Sequence, residues 1–144
     1  MSATDRSLEL TRAAAQAAAD KLATSITAID VSDQLAITDT FVIASAESER
    51  QVNAIVDAVE EALLPLGAKP QRREGRASGR WVLIDFGDIV LQAFHEEDRE
   101  FYALDRLWAE APRIELGVEN EAPFDIEGET EEDAARIIPA QDEA

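Results

Sequence analysis

The sequence predicts an α/β (α+β) domain, a mixed sheet flanked by helices, on three observations. Apolar residues switch repeatedly between a spacing of three to four and a spacing of two, as helices and strands alternate. The resulting order of helix, strand, strand, helix, strand, strand, helix suits one compact α/β layer. And 144 residues can bury a core large enough to fold without staples, which matters in a chain with no cysteine.

The first segment, Asp5 to about Thr24, reads "DRSLELTRAAAQAAADKLAT", and its alanines favour helix. Leu10, Ala14, Ala15, Ala18 and Leu22 mark one face at helical spacing. "SITAIDVS" then changes to period two, with Ile29 and Val31 on one side of a short strand. "QLAITDT" connects it to "TFVIASA", a strand apolar enough to be buried. In "SERQVNAIVDAVEEALLPLG", Val52, Ile55, Val56, Val59 and Leu63 form a helical stripe behind an N-cap at Ser48. Pro65 and Gly67 stop it.

From Ala68 to Gly79, "AKPQRREGRASG" is polar and holds four of the thirteen basic residues, so a mobile loop with a local basic patch is expected. A hairpin follows, then a helix from Glu97 to about Ala109 with Phe101, Leu104, Leu107 and Trp108 as its core stripe, halted by Pro112. Residues 1–112 therefore make the expected domain. Residues 113–144 hold eleven of the 31 acidic side chains, with Pro123 and Pro139 as breaks, and are expected to be a largely disordered tail. Within it Ile114, Leu116, Phe124 and Ile126 are the residues able to pack on the domain or on a partner.

The net charge of −18 repels phosphate backbones, which argues against DNA or exposed RNA as the main target and favours a basic protein partner. The start, "MSATDRSLEL", lacks a cationic stretch followed by an apolar run, and no window approaches the ~20 apolar residues of a membrane span. A cytoplasmic protein without membrane contact is the expectation.

The hairpin "RWVLIDFGDIVLQAFH" is the most informative stretch. A two-residue turn at Gly87-Asp88 pairs Phe86 with Ile89. Val82, Ile84, Phe86, Ile89, Leu91 and Ala93 then share a wholly apolar face, the core side. The other face sets Trp81 across from Phe94, Leu83 across from Gln92 and Asp85 across from Val90. That mixture is too polar for a core and too apolar for ordinary solvent, and matches the composition of protein interfaces. Either a partner or a helix of the same domain must cover it.

An enzyme reading has less behind it. Asp85 and Asp88 are candidates for magnesium, but carboxylates meant for one ion on a strand should stand two apart, and these stand three apart. Asp88 has an ordinary place in the turn. "GAKPQRREGRASG" fits neither phosphate-loop nor dinucleotide fingerprints. His95, the lone histidine, lies at a strand end with no nucleophile signalled nearby, and Ser45, Ser48 and Ser78 lack a nucleophile elbow. No catalytic residue, metal or cofactor is expected.

These residues resemble the ribosomal silencing factors, also called the Iojap family. Trp81, Asp85, Gly87, Asp88, Arg99, Tyr102, Leu104, Leu107 and Trp108 match its strand-turn-strand-helix pattern. Asp30, Thr38, Asp39, Ser45, Ser48, Arg50, Gln51 and Val52 match its upstream signature. The likeness spans about residues 5–110, with two departures: Gln92 stands where the family usually has histidine and Asp105 where it has glutamate. The resemblance implies a nucleotidyltransferase-like fold without demonstrated transferase chemistry, and a homodimer in free form. It also implies binding to the large ribosomal subunit through ribosomal protein L-fourteen, which sterically blocks joining of the small subunit and represses translation. The expected docking surface is Trp81, Leu83, Asp85, Gln92 and Phe94, with Arg99 and Tyr102 at its rim. Two other readings remain open: a magnesium-dependent nucleotidyltransferase using Asp85 or Asp88, and a plain dimerisation module.

Overall fold

The structure, a computed structural model, describes residues 2–97, 111–118 and 121. Helix α1 spans Asp5–Asp20, β1 Ser25–Asp30, β2 Thr40–Ala46, α2 Glu49–Leu63, β3 Arg72–Glu74, β4 Trp81–Asp85 and β5 Ile89–His95. The five strands form one mixed sheet in the order β1-β2-β5-β4-β3, antiparallel except for the central β2–β5 pair. A parallel pair needs a crossover, and α2 lies within it.

Both helices pack on the same face of the sheet. Leu10, Ala14 and Ala18 of α1 and Val52, Ile55, Val56, Val59 and Leu63 of α2 are fully buried there against Ile26, Val42, Ala44, Ile84 and Leu91. The predicted α2 stripe and the predicted core face of the hairpin are thus both the actual core. Ser48 caps α2 by accepting from the Gln51 amide at 3.1 Å, and Gly67, in the left-handed region, ends the 3-10 turn that follows.

Three expectations change. Helix α1 ends at Asp20, short of Thr24, because Leu22 turns into the left-handed region and its side chain stands in solvent instead of on the apolar face. Gln51 supports that break, its Nε2 donating to the carbonyls of Lys21 and Leu22.

The stretch 68–79 holds a strand, β3, paired with β4. Its three exposed residues, Arg-Arg-Glu, have no apolar alternation to reveal them; the ladder to β4 makes the strand. Three of its four basic side chains are engaged, Arg73 with Glu60 at 3.0 Å, Arg76 with Asp57 at 2.8 Å and Arg72 with Glu74 at 3.0 Å, so most of the expected basic patch is internally paired.

Finally, Ile114 and Leu116 are buried in the main core, so packing continues past residue 112. Residues 111–118 run along the outer edge of β1, where the Asp30 amide donates to the Pro112 carbonyl at 2.7 Å and the Ile114 amide to Ala28 at 2.9 Å. The helix expected from Glu97 to Ala109 lies, beyond Glu97 itself, outside the described residues, and so do Phe124 and Ile126.

Candidate functional site

The hairpin register is the predicted one. Trp81 pairs with Phe94, Leu83 with Gln92 and Asp85 with Val90, and the Phe86 amide donates to the Ile89 carbonyl at 2.9 Å. Gly87 takes a positive φ of 92°, the conformation a two-residue turn asks of glycine, and Asp85 Oδ1 accepts from its amide at 2.8 Å.

Strand registers set the face opposite the helices in three rows. One row runs Ser25, Ser45, Phe94, Trp81 from β1 to β4; the next runs Thr27, Ile43, Gln92, Leu83 and on to Glu74 of β3. The third runs Ile29, Phe41, Val90, Asp85 and Arg72. Ile29, Val31, Phe41, Ile43, Val90, Phe94 and Ala111 form a second apolar cluster here, with Leu35 and Leu83 half-buried against it. Burial therefore grades across the sheet, from complete at β2 and β5 to partial and mixed in chemistry at β4, and to exposed and charged at β3.

This gradient separates the expected docking set into a buried and an accessible part. Gln92 and Phe94 are 3% and 2% exposed, so they form the floor of the face. Strand β5 is the middle of the sheet, and its residues are flanked on both sides. The accessible part is the β4 row: Trp81, 39% exposed, with half-buried Leu83 and Asp85. Trp81 lies beyond the end of β3, which pairs only with Leu83 to Asp85. The turn preceding it wraps closely: a Cβ on Gly75, whose φ is 85°, would sit on the Trp81 carbonyl. Arg99 and Tyr102, the expected rim, lie outside the described residues.

The residues that invited an enzyme reading have structural partners. Asp85 caps its own turn, and Asp88 lies exposed at the hairpin tip, 4.0 Å from Arg6. Among the described residues no three histidine or carboxylate side chains are grouped to hold a metal ion. His95 ends β5, where its ring Nδ1 accepts from the Glu97 amide at 3.1 Å. Ser45 bonds with Thr24 and Ser25, and Ser78 donates to the Gly75 carbonyl.

Several of the upstream signature residues hold the scaffold together. Asp30 accepts from the Ala3 amide at 2.8 Å and Asp39 from the Thr4 amide and Ser7 hydroxyl at 3.1 and 2.8 Å, so two aspartates pin the entry to α1. Burial of Asp30 works against its charge, but hydrogen bonds from Ser32 and Ala3 outweigh it and hold the carboxyl below its ordinary range. Thr38 lies buried beside them, its hydroxyl without a partner among the described residues. Sequence reasoning gave these residues no task, because both pins span about thirty residues of chain.

Residues 4–142 match the family described as ribosomal silencing factor during starvation. The chain is 39% identical over 108 residues to ribosomal silencing factor RsfS of Halalkalibacterium halodurans, a match covering 75% of this chain and 92% of that one. It is 37% identical over 103 residues to ribosomal silencing factor RsfS of Bacillus subtilis, covering 72% and 87%. A crystal structure of a Bacillus halodurans protein superposes with a TM-score of 0.67 at 37% identity, over 75% of this chain and 98% of that one.

Proposed function

This chain belongs to the ribosomal silencing factor family, and from that premise we propose that it silences ribosomes by docking on the large subunit and sterically keeping the small subunit from joining. No chemical step is needed. A bound body at the joining surface suffices, so no cofactor and no catalytic residue enter the reading.

The observation that carries the docking mode is Trp81, an accessible aromatic at the open border of the second apolar cluster. Aromatic anchors beside an apolar floor are where interface energy concentrates. Leu83 extends the apolar contact and Asp85 supplies a carboxylate to a basic partner. Gln92 and Phe94 support the row from below, and Arg99 and Tyr102 are assigned to the same docking surface from their match to the family pattern in sequence. The partner is ribosomal protein L-fourteen, a basic protein set in repulsive RNA. A net charge of −18 speeds encounter with the former and disfavours sliding onto the latter. In the free state the chain forms a homodimer.

Co-sedimentation with separated large and small subunits tests this. The chain should pellet with the large subunit alone, and Trp81→Ala should weaken that binding about 30- to 1,000-fold. Equal pelleting of the variant, or pelleting with the small subunit, would move the docking surface elsewhere.

A further inference from the structure

Strand β3 pairs with Leu83, Ile84 and Asp85 and stops there, so Trp81 has no β3 partner on its outer edge. Residues 75–80 take that place. Gly75, at a φ of 85°, lies so close to Trp81 that a Cβ on it would overlap the Trp81 carbonyl oxygen. The loop is closed by its own bonds. The Gly79 amide donates to the Gly75 carbonyl at 3.1 Å, the Ser78 hydroxyl to the same carbonyl at 3.2 Å, and the Arg80 amide to the Ser78 hydroxyl at 3.2 Å.

Helix α2 supplies the seat. Glu49, Asn53 and Asp57 stand four apart and so line one edge of the helix. Each meets the loop: Asp57 pairs with Arg76 at 2.8 Å, Asn53 Nδ2 donates to the Arg76 carbonyl at 3.5 Å, and Glu49 lies 3.8 Å from the Arg80 guanidinium. These polar contacts hold weakly. The ion pairs are exposed, and the Asn53 Oδ1 is buried without a partner among the described residues. Close packing is what seats the loop. A Cβ on Gly79, whose φ is 66°, would stand 3.0 Å from the Glu49 Cβ and 3.1 Å from both Asn53 Nδ2 and the Glu49 carbonyl oxygen. Two glycines therefore let one short loop touch α2 on one side and the Trp81 backbone on the other.

We infer that Gly75 and Gly79 are positioning residues for docking: through them α2, which packs on the core face, fixes the place from which Trp81 meets the partner. The inference rests on Trp81 as the docking anchor. An anchor whose backbone is already held loses less freedom on binding than one at a loose strand edge. Neither glycine needs to touch the partner for its replacement to weaken binding.

Fluorine NMR of the full chain labelled with fluorotryptophan carries the test. The two tryptophans give two signals, and the one lost in Trp81→Phe belongs to Trp81. Gly75→Ala and Gly79→Ala should each shift that signal, and co-sedimentation should show large-subunit binding weakened by about tenfold. Gly117→Ala is the control. Its φ of 69° resembles that of Gly79, yet a Cβ there meets nothing within 4 Å. It carries similar backbone strain and should leave both the signal and the binding unchanged. Gly79→Ala, whose obstacles are partly side chain and can give, stands in should Gly75→Ala fail to fold. A Trp81 signal unmoved in the folded glycine variants, or moved as much by Gly117→Ala, overturns the inference. So does full binding by Gly75→Ala where Trp81→Ala has lost it. Full binding by Trp81→Ala itself would instead overturn docking through Trp81, while the signal still decides whether the loop positions that residue.

Discussion

The two faces of this sheet use the same strands for opposite ends. On one face, alternate residues of β1, β2, β4 and β5 meet two helices and disappear into a continuous aliphatic core. On the other, the residues in between form a smaller, more aromatic cluster that opens at β4 into Trp81, Leu83 and Asp85. The period-two geometry of a strand makes this division of labour possible. Substitutions on the first face should therefore unfold the domain, and substitutions at the border of the second should spare the fold and remove binding.

The largest effect is expected in the core. Ile84→Ala or Leu91→Ala should destabilise by about 2–5 kcal/mol, since each leaves a cavity beneath two helices. Trp81→Ala, one or more residues away on the same hairpin, should cost far less in a denaturant melt. Similar losses for the two would mean that the faces do not differ in the way described.

A smaller effect separates the chain's last segment into two parts. Removing 122–144 should leave the melting temperature unchanged, as expected from the high charge of that sequence. Removing 113–144 should lower it, because Ile114 and Leu116 go with it and each buried aliphatic side chain is worth about 1.5–3 kcal/mol. Identical melts for both truncations would place the boundary at 112 after all.

Smaller again, Ser48→Ala and Thr4→Ala should each cost about 1 kcal/mol by uncapping α2 and α1. The smallest is a pH effect. Asp30 is held below its ordinary range, so its contribution is intact above the unfolded-state pKa of about 3.9 and is lost as pH falls through the folded-state value. The melting difference between the protein and Asp30→Asn should accordingly shrink as pH drops from about 6 to about 3. A difference that grew on acidification would reverse the sign.

The parts legible in sequence were those governed by local periodicity. The α2 stripe, the β2 run and the hairpin register with both of its faces follow from spacings of two and three to four within one element. Three features escaped because they depend on distant partners. Strand β3 exists through its ladder to β4, the Asp30 and Asp39 pins reach back to residues 3–7, and residues 111–118 gain their place from the edge of β1. Parity found the mixed face, but it could not say that Gln92 and Phe94 would be its floor, since burial depends on which strand ends up in the middle of the sheet.

Subunit joining, followed by light scattering after large and small subunits are mixed, tests the central claim most directly. Added chain should suppress the scattering rise. Trp81→Ala at the same concentration should let it proceed as though nothing had been added, and Asp88→Ala, altered only at the hairpin tip, should suppress it like the unaltered protein. Full suppression by a folded Trp81→Ala would contradict the assignment of docking to this face of the sheet.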